Sequence, residues 1–471
     1  MSESIKLTTT QKIKWVILLI ALLVLWIVPC GEVYTQQVKY FCMISVAGIY
    51  MMAFELVPAF VAALAIPTGY WLLSVAPTTT VFSAWTQQVP WVLLGSLLVA
   101  QIMNKTGLSK RLAYGLMIIG KGNFYIVMAM LIIAGAIIAA FVPAAVARAA
   151  LFGSIALSLA DAMEWEADKK HAIILFSVVG LAATGCSYML MTGTNSDLVV
   201  AGVLESAGYP ISWSEWAFYN MIPGIIEIIA AFVLILIMFK NHDSEETEKM
   251  DSRAIHAYIK EQYKTLGKPD KQEKKAIVLF AVILVLLLTS NYHSFNPGQI
   301  FMLLALIAFL PGIGLLKAED AKKINYSTLF LVAGCVAIGD VANALALGDV
   351  FVNLVMPLLP DSIVGLSAIS FFICFFGNML MTPVALGSTL TLPIINIAEY
   401  LGCNPYGLTM IFWTSCGATV FPYEAASDLL IFSYGKISMK NWIKVGILRS
   451  LVLFIGRFVL YIPWFKLLGL L

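Results

Sequence analysis

The sequence predicts an all-α polytopic membrane protein that consists of two repeated halves and about 11 transmembrane helices. Two observations lead to this prediction. The first is a composition too apolar for a soluble domain, and the second is a pattern of interrupted apolar segments that occurs once in each half of the chain. Each half is expected to contain a re-entrant hairpin and an unwound helix, and the two halves to form an inverted repeat.

The composition indicates that most of the chain lies in a lipid bilayer. Hydrophobic residues make up 61% of the 471 residues and charged residues only 12%, and the mean hydropathy is +0.90. A soluble domain carries about 25% charged residues. The clearest of the apolar runs long enough to approach or cross a bilayer are 15–29, 219–239, 276–289, 299–316 and 443–463.

One segment between the halves is too polar for hydrocarbon. Residues 240–275 contain nine Lys or Arg and eight Asp or Glu, so the connector 241–274 is expected to be an aqueous loop with a short amphipathic helix around 254–265. Loops rich in Lys and Arg face the cytoplasm, which places the connector there. The N-terminus is also predicted to be cytoplasmic, because Lys12 and Lys14 precede the first apolar run. This run is interpreted as a membrane helix that stays in the mature protein rather than as a cleaved signal peptide.

A short polar pattern occurs twice. Residues 192–200 read Thr-Gly-Thr-Asn-Ser-Asp-Leu-Val-Val, and residues 423–431 read Tyr-Glu-Ala-Ala-Ser-Asp-Leu-Leu-Ile. Both put a Ser-Asp pair, ending at Asp197 and Asp428, inside an otherwise apolar segment. The sequence therefore predicts that a membrane helix is unwound around 192–198 and another around the corresponding residues 422–428.

About 50 residues before each Ser-Asp pair lies a long apolar stretch broken by proline, 123–160 at Pro143 and 366–400 at Pro383. Proline removes a backbone donor and clashes with the preceding turn. Freed backbone groups are tolerated at membrane depth only where protein or a water-filled cavity satisfies them. The matched positions favour two re-entrant hairpins over two proline-kinked spanning helices. Broken helices in corresponding positions point to the substrate site of a secondary transporter.

Arg148 is the most conspicuous charged residue of the first hairpin. An arginine at membrane depth costs at least about 2.5–3.5 kcal/mol, and such residues usually face the bundle interior or a cavity. A guanidinium matches a carboxylate or a sulfate with a bidentate fork, so Arg148 is a candidate anion ligand. The alternatives are an ion pair with Asp197 or Glu424, or a side chain that extends to the membrane interface.

Three acids are candidates for ion coupling. Asp197, Glu424 and Asp428 could coordinate a cation or carry a proton. The alternative is a structural role, because an aspartate at the start of a half-helix, here 198–203 or 429–432, caps its N-terminus. The two roles are compatible, since the N-termini of half-helices are where transporters hold anionic groups.

At these motifs the chain resembles the divalent anion–sodium symporter family. The resemblance follows the order and spacing of segments along most of the chain, above all 93–113, 142–155, 192–226, 388–394 and 431–446. The second of these is similar to a hairpin tip at which many members read Pro-Ser-Asn-Thr-Ala-Arg.

The resemblance implies that the hairpin tips form the binding site. In the family, Ser-Asn-Thr at each tip supplies side-chain groups to sodium and to substrate carboxylates. This chain departs from that pattern, with Ala-Ala-Val at 144–146 and Pro-Val-Ala at 383–385. Conversely, Asp197 and Asp428 stand where the unwound helices of the family usually carry Asn, so coupling by sodium and coupling by protons both stay open.

The residues and the resemblance together give a set of candidate site residues. The expected substrate-binding residues are Pro143, Ala145, Arg148, Thr194, Asn195, Ser196, Thr382, Pro383, Ser388, Thr389 and Ser427. The expected ion-coupling residues are Asp197, Glu424 and Asp428. No cofactor is expected; sodium is the candidate metal ion for coupling, held by backbone carbonyls near Ala144 and Val384, and the proton is the alternative.

The resemblance also implies an architecture. Family members are homodimers in which a scaffold domain stays at the dimer interface while a transport domain moves like an elevator. In this sequence the scaffold corresponds to 1–118 and 275–361, and the transport domain to 119–240 and 362–471. The expected location is the cell membrane.

The sequence predicts a transporter of a small organic anion, with a di- or tricarboxylate favoured and an inorganic anion such as sulfate, or carboxylate exchange, as alternatives. The chain lacks HExxH, GxSxG and phosphate-loop motifs, so an enzyme is not expected. A channel is a less favoured alternative, which flux saturation and counterflow would distinguish from a carrier. The net charge of +2 gives no reason to expect nucleic acid as a partner.

Overall fold

The computed structural model describes residues 8–54, 56–241, 251–293, 295–360 and 362–471. Within these ranges the chain consists of α-helices joined by short 3-10 and π segments, and it has no β-strand. The most extensive buried apolar cluster includes residues of both halves. The all-α prediction is therefore confirmed for the described residues.

The α-helices in chain order are α1 (Thr9–Ile27), α2 (Gln36–Ala53), α3 (Ala59–Leu72), α4 (Thr78–Val81), α5 (Gln88–Thr106), α6 (Leu108–Ile119), α7 (Phe124–Ala139), α8 (Ala145–Ala162), α9 (Lys170–Gly180), α10 (Asn195–Ser206), α11 (Trp213–Met238), α12 (Ser252–Thr265), α13 (Lys271–Leu288), α14 (Pro297–Ile307), α15 (Ala318–Ala321), α16 (Tyr326–Ala344), α17 (Leu347–Val355), α18 (Ile363–Asn378), α19 (Pro383–Tyr400), α20 (Pro405–Ser415), α21 (Ala426–Ser433), α22 (Met439–Gly456) and α23 (Ile462–Leu467).

Several of these helices are long and apolar enough to cross a membrane. The described residues contain six such spans, or up to eight if two helix pairs with sharp bends each count as one span. The bent pairs are α5 with α6, at 66°, and the end of α17 with α18, at 99°. The multi-pass character is confirmed, whereas the count of about 11 transmembrane helices stays a prediction.

Helix lengths repeat between the two halves. Helices α7 and α18 both have 16 residues, α8 and α19 both have 18, and α9 and α20 both have 11. The half-helices α10 and α21 follow, and then the long helices α11 and α22. The order of helices and breaks is therefore duplicated, while the inverted orientation of the second set stays a prediction.

Both apolar stretches break at their prolines. Helix α7 ends at Ala139 and α8 begins at Ala145, so Pro143 lies in the connection. In the second half Pro383 is the first residue of α19, and Thr382 caps that helix by accepting a hydrogen bond from the Ala385 amide. A proline at the first helical position loses no hydrogen bond. The breaks are confirmed, and their re-entrant path in the membrane stays a prediction.

The half-helices begin earlier than predicted. Helix α10 starts at Asn195 and α21 at Ala426, whereas the sequence suggested starts at 198 and 429. In the first half the reason is a capping box: Thr194 accepts from the Asp197 amide, and the Asp197 carboxylate accepts from the Thr194 amide. Asp197 is therefore not the N-cap residue but lies in the first turn.

The two halves pack against each other crosswise. Helix α8, the second arm of the first hairpin, packs against the half-helix α21 of the second half. Helix α19, the second arm of the second hairpin, packs against the half-helix α10 of the first half. The hairpins and the half-helices of the two halves therefore form one interdigitated unit.

The predicted amphipathic helix of the connector is confirmed as α12. Its apolar residues Ile255 and Ile259 are buried because the helix packs against α6 and α8. Beyond α12 the connector is held by Arg111 of α6, which forms a buried salt bridge with Glu273 at the start of α13. The earlier part of the connector, 242–250, lies outside the described residues.

Candidate functional site

Arg148 joins the first hairpin to the first broken helix. Its Nε and Nη2 atoms donate to the carbonyl of Ala183 at 3.0 Å and 2.8 Å, and Nη2 also donates to Ser187 Oγ at 2.6 Å. Its Nη1 atom donates to the carbonyl of Val142 in the hairpin connection. Ala183 belongs to the π segment Leu181–Gly185, which follows α9. The guanidinium therefore stabilises buried carbonyls that lack helical partners at two irregular segments.

Two alternatives suggested for Arg148 are wrong. The side chain is only 1% exposed, so it does not extend to the membrane interface. It forms no salt bridge with Asp197, Glu424 or another acid in the described parts of the chain. Its hydrogen bonds go to backbone carbonyls and one hydroxyl, which makes it a structural residue in this conformation. A role in binding the substrate stays a prediction.

A second pair of contacts closes the tip of the first hairpin. Thr192 donates its hydroxyl proton to the carbonyl of Ala140 at 2.8 Å, and the indole of Trp213 donates to Thr192 Oγ1 at 3.0 Å. Together with Arg148, these side chains satisfy the carbonyls of Ala140 and Val142, which the break between α7 and α8 leaves without helical partners. The tip is thus held by residues of the broken helix and of α11.

Gly135 in α7 allows the hairpin to approach the π segment. A Cβ atom at this position would lie 2.2 Å from the carbonyl oxygen of Ala182. We expect Gly135→Ala to destabilise the protein by about 1–3 kcal/mol, because the backbone of Ala182 has to move. Thermal melting in detergent measures this effect. The matched control is Gly115→Ala in α6, where the nearest atom, on Tyr263, is 3.5 Å away; equal melting temperatures for both variants would contradict the prediction.

The second hairpin is joined to its broken helix by a different residue. Asn378, at the end of α18, donates to the carbonyls of Cys416 and Ala418 at 3.0 Å and 3.3 Å. Further along, Ser388 and Thr389 both donate to a carbonyl of their own helix α19. The Asn378 amide in the second half and the Arg148 guanidinium in the first half therefore both bind backbone carbonyls of the broken helix in their own half.

Asp197 is a fully bonded carboxylate. Its Oδ1 accepts a hydrogen bond from the indole of Trp413 at 2.6 Å. Its Oδ2 accepts from the amide and from the hydroxyl of Thr194 at 2.6 Å and 2.8 Å. The residue is 0% exposed. Because Trp413 lies in α20, this acid fastens the first half-helix to the second half.

Asp428 occupies the same place in the second pattern, but it is only half bonded. Its Oδ2 accepts from Thr419 Oγ1 at 2.9 Å, while Oδ1 is buried and has no hydrogen-bond partner among the described residues. The N-cap of α21 is Ala425, which has no side chain that could form a capping box. Glu424 is similar, since Oε2 accepts from the Val420 amide at 2.8 Å and Oε1 has no partner there.

A small cavity, with room for about one water-sized group, lies beside Asp428. Its polar lining comes from Ser177 of α9, Thr419, Asp428 and Arg449 of α22, and the larger, apolar part of its lining includes Phe176, Trp442 and Val445. Arg449 is partly buried and forms no hydrogen bond or salt bridge within the described ranges. The cavity therefore brings a free guanidinium and a half-bonded carboxylate together at the boundary between the two halves.

Sequence reasoning missed three charged residues in this region. Arg449 and Arg457 both lie in the apolar run 443–463, and Glu227 lies in the run 219–239. All three could have been found from the sequence, because a charged residue inside an apolar run is usually functional or paired. Arg457 is fully buried and donates to Ser415 Oγ at 2.6 Å, and Glu227 accepts from the Tyr461 hydroxyl at 3.2 Å.

The remaining candidate residues lie at the tips and half-helix starts where they were expected. Ala144 and Ala145 are half-buried and Pro143 is buried at the first tip, while at the second tip Thr382 is exposed and Pro383 and Val384 are half-buried. Thr194 and Asn195 are half-buried and Ser196 and Ser427 are buried at the half-helix starts. The structure joins each tip to its own broken helix, and the two broken helices meet through Trp413 and Asp197.

A bundle of apolar helices with duplicated breaks and buried charges defines the class of polytopic membrane transport proteins. The family model for the sodium:sulfate symporter transmembrane region matches residues 9–471, so the chain belongs to this family. Its members are transporters rather than enzymes. The resemblance predicted from the sequence is confirmed.

Individual relatives are distant but cover much of the chain. The inner membrane protein YbhI of Escherichia coli (strain K12) is 24% identical over 83% of this chain and 83% of its own length. Dicarboxylate transporter 1, chloroplastic, of Spinacia oleracea is 20% identical over 95% of this chain and 80% of its own. Solute carrier family 13 member 1 of Homo sapiens is 24% identical over 59% of this chain and 54% of its own length.

Proposed function

We propose that the protein is a secondary active transporter of a small organic anion of the di- or tricarboxylate class. The observation that carries the proposal is the set of charged groups enclosed between the two broken helices, in particular an arginine and an acid that line one cavity. Family membership supports anion transport, and a spinach relative is named as a dicarboxylate transporter.

The proposed mechanism is alternating access. The unit of hairpins and half-helices, 119–240 and 362–471, moves as a transport domain against a scaffold formed by 1–118 and 275–361 in a homodimer. The crosswise packing of α8 on α21 and of α19 on α10 supports a transport domain that moves as one body. We place the protein in the cell membrane, with the N-terminus and the connector in the cytoplasm.

The coupling ion is either sodium or a proton. Without Ser-Asn-Thr at the tips, sodium would be bound by backbone carbonyls near Ala144 and Val384. A proton would be carried by one of the buried acids, Asp197, Glu424 or Asp428. An inorganic anion is the second candidate substrate, because the family model that matches the chain is named after sulfate symport.

Uptake into proteoliposomes tests the proposed function. Purified protein is reconstituted, and uptake of labelled succinate is measured with an imposed sodium gradient, with a proton gradient, and with succinate preloaded inside and neither gradient. Citrate, sulfate and aspartate serve as competitors. We expect saturable uptake well above protein-free liposomes under at least one condition, with inhibition by citrate.

Each result has a distinct meaning. Uptake driven by sodium indicates the family mechanism with backbone ligands, and uptake driven by protons indicates a carboxylate as the coupling group. Uptake only with preloaded succinate indicates exchange. Non-saturable flux would indicate a channel, and an absence of uptake under every condition would overturn the assignment to carboxylates.

A further inference from the structure

We infer that Arg449 and Asp428 form a binding site for one carboxylate group of the transported anion together with one proton. The inference rests on the proposed function and deepens it. It names Arg449, which sequence reasoning did not consider, as the anion ligand. It also separates Asp428 from Asp197, which the repeated Ser-Asp pattern treats as equivalent.

The first step of the argument is the hydrogen-bonding state of the arginines. Arg148 uses its donors on the carbonyls of Val142 and Ala183 and on Ser187. Arg449 has no such partners within the described residues and borders a cavity. It lies ten residues after Met439, the first residue of α22, or about 15 Å along the helix. An arginine at such a depth requires an anionic or carbonyl partner, and the cavity is where a ligand can supply one.

The second step is the half-bonded state of Asp428. The residue is 3% exposed, its Oδ1 has no partner in the described ranges, and it lines the same cavity as Arg449. An unsatisfied buried oxygen is costly and marks a site that a ligand or proton completes. Asp197, by contrast, accepts hydrogen bonds at both oxygens, so neither of its oxygens is left unsatisfied.

The third step is charge balance. Arg449 is the cation that interacts electrostatically with Asp428, and the further charged or titratable groups that face Asp428 are Glu424 of its own segment and the Tyr188 hydroxyl. One guanidinium cannot balance the substrate carboxylate and two acids. Two carboxylates that share a site do not both stay ionised, so one takes up a proton. Protonated Asp428 then donates from Oδ1, while Arg449 binds the incoming carboxylate with its fork.

The cavity has room for about one carboxylate oxygen, and its polar atoms lie on one part of a mostly apolar lining. It lies between α9 of the first half and α22 of the second, and the hydroxyls of Ser177 and Thr419 contribute polar atoms. The guanidinium lies directly beside α9, since a Cβ atom at Gly180 would be in van der Waals contact with Arg449 Nη1 at 3.8 Å. The remainder of a dicarboxylate is expected to extend out of this cavity.

Direct binding to purified wild-type protein and to charge variants tests the inference. Succinate affinity is measured in detergent by isothermal titration calorimetry between about pH 7 and pH 9, where succinate stays fully ionised. Arg449→Gln is compared with Lys444→Gln, which removes a positive charge from an exposed position of the same helix. Asp428→Asn is compared with Asp197→Asn, the matched acid of the first half.

We expect Arg449→Gln to weaken succinate binding roughly 10- to 100-fold, the range for hydrogen bonds to charged groups, while Lys444→Gln binds as the wild type does. In the wild type, binding should weaken by up to about tenfold per pH unit toward high pH, since one proton accompanies the anion. That dependence should disappear in Asp428→Asn and persist in Asp197→Asn. If Arg449→Gln does not fold, Arg449→Lys, which keeps the charge but lacks the fork, is expected to bind more weakly than wild type.

The outcomes separate the two levels of the proposal. Wild-type protein that binds neither succinate, citrate nor sulfate overturns the proposed function and the inference with it. Wild-type binding that is unaffected by both substitutions of Arg449 overturns the inference alone. A pH dependence that persists in Asp428→Asn, or affinity that depends on sodium and not on pH, overturns the role of Asp428.

Discussion

Replacing Arg148 with glutamine is expected to remove most of the folded protein, irrespective of any effect on transport. The substitution leaves carbonyls of Val142 and Ala183 without their partner in an apolar environment. Each unsatisfied buried polar group costs about 1–3 kcal/mol, so we expect a loss of roughly 2–6 kcal/mol for the two carbonyls. This is a large part of the roughly 5–15 kcal/mol by which a protein is stable.

Fluorescence-detected size exclusion and thermal melting in detergent measure the loss. Arg253→Gln is the control, because the same exchange is made at an exposed position of α12 in the connector. Ser187→Ala removes only one of the four hydrogen bonds of Arg148 and should cost about 1 kcal/mol. A stable Arg148→Gln protein that no longer binds succinate would show instead that Arg148 is the anion ligand.

Replacing Glu273 with leucine is expected to destabilise the protein about as strongly as Arg148→Gln. Glu273 and Arg111 form a salt bridge in which both side chains are about 10% exposed or less. Arg111 also donates to the carbonyls of Gly267 and Leu266 at 3.0 Å and 3.1 Å. Removing one partner of a buried pair leaves an uncompensated charge, which costs about 3–5 kcal/mol. The connector should detach from α6, and the melting temperature should fall.

The control for this prediction is Lys323→Gln, which removes an exposed and longer contact to Asp320 at 3.9 Å. Exposed pairs contribute about 0–1 kcal/mol, so this variant should melt close to the wild type. A double variant, Arg111→Met with Glu273→Leu, should recover part of the loss, because an apolar pair does not leave a buried charge. Equal melting of Glu273→Leu and Lys323→Gln would contradict the proposed importance of the pair.

Local chemistry explains which parts of the fold the sequence could predict. Pro143 and Pro383 lie at the breaks between α7 and α8 and between α18 and α19. Other prolines lie inside helices α3, α11 and α19, so the breaks were predictable from the matched positions of these two prolines in the two halves and not from residue type alone. The charge density of the connector likewise excludes a membrane span. The starts of α10 and α21 were placed about three residues too late, because the capping residue is Thr194 and not the aspartate.

Less of the candidate site than of the fold could be predicted from the sequence. The repeated Ser-Asp pattern suggested that Asp197 and Asp428 are equivalent, but their hydrogen-bond partners differ. Asp197 accepts a hydrogen bond from the indole N–H of Trp413, a residue 216 positions away, and no local pattern encodes such a contact. Arg449 was overlooked because the run 443–463 is apolar enough to be taken as an ordinary span.

The sequence by itself determined that this is a multi-pass membrane protein of a known transporter family, with two breaks and two half-helices in matching order. These properties depend on composition, on proline and on spacing, which act over a few residues. Only the tertiary structure decided that Arg148 binds carbonyls, that Asp197 is fully bonded, and that Arg449 and Asp428 share a cavity. The physical reason is that the partner of a buried charge is selected by packing between distant helices, since desolvation makes any unpaired alternative costly.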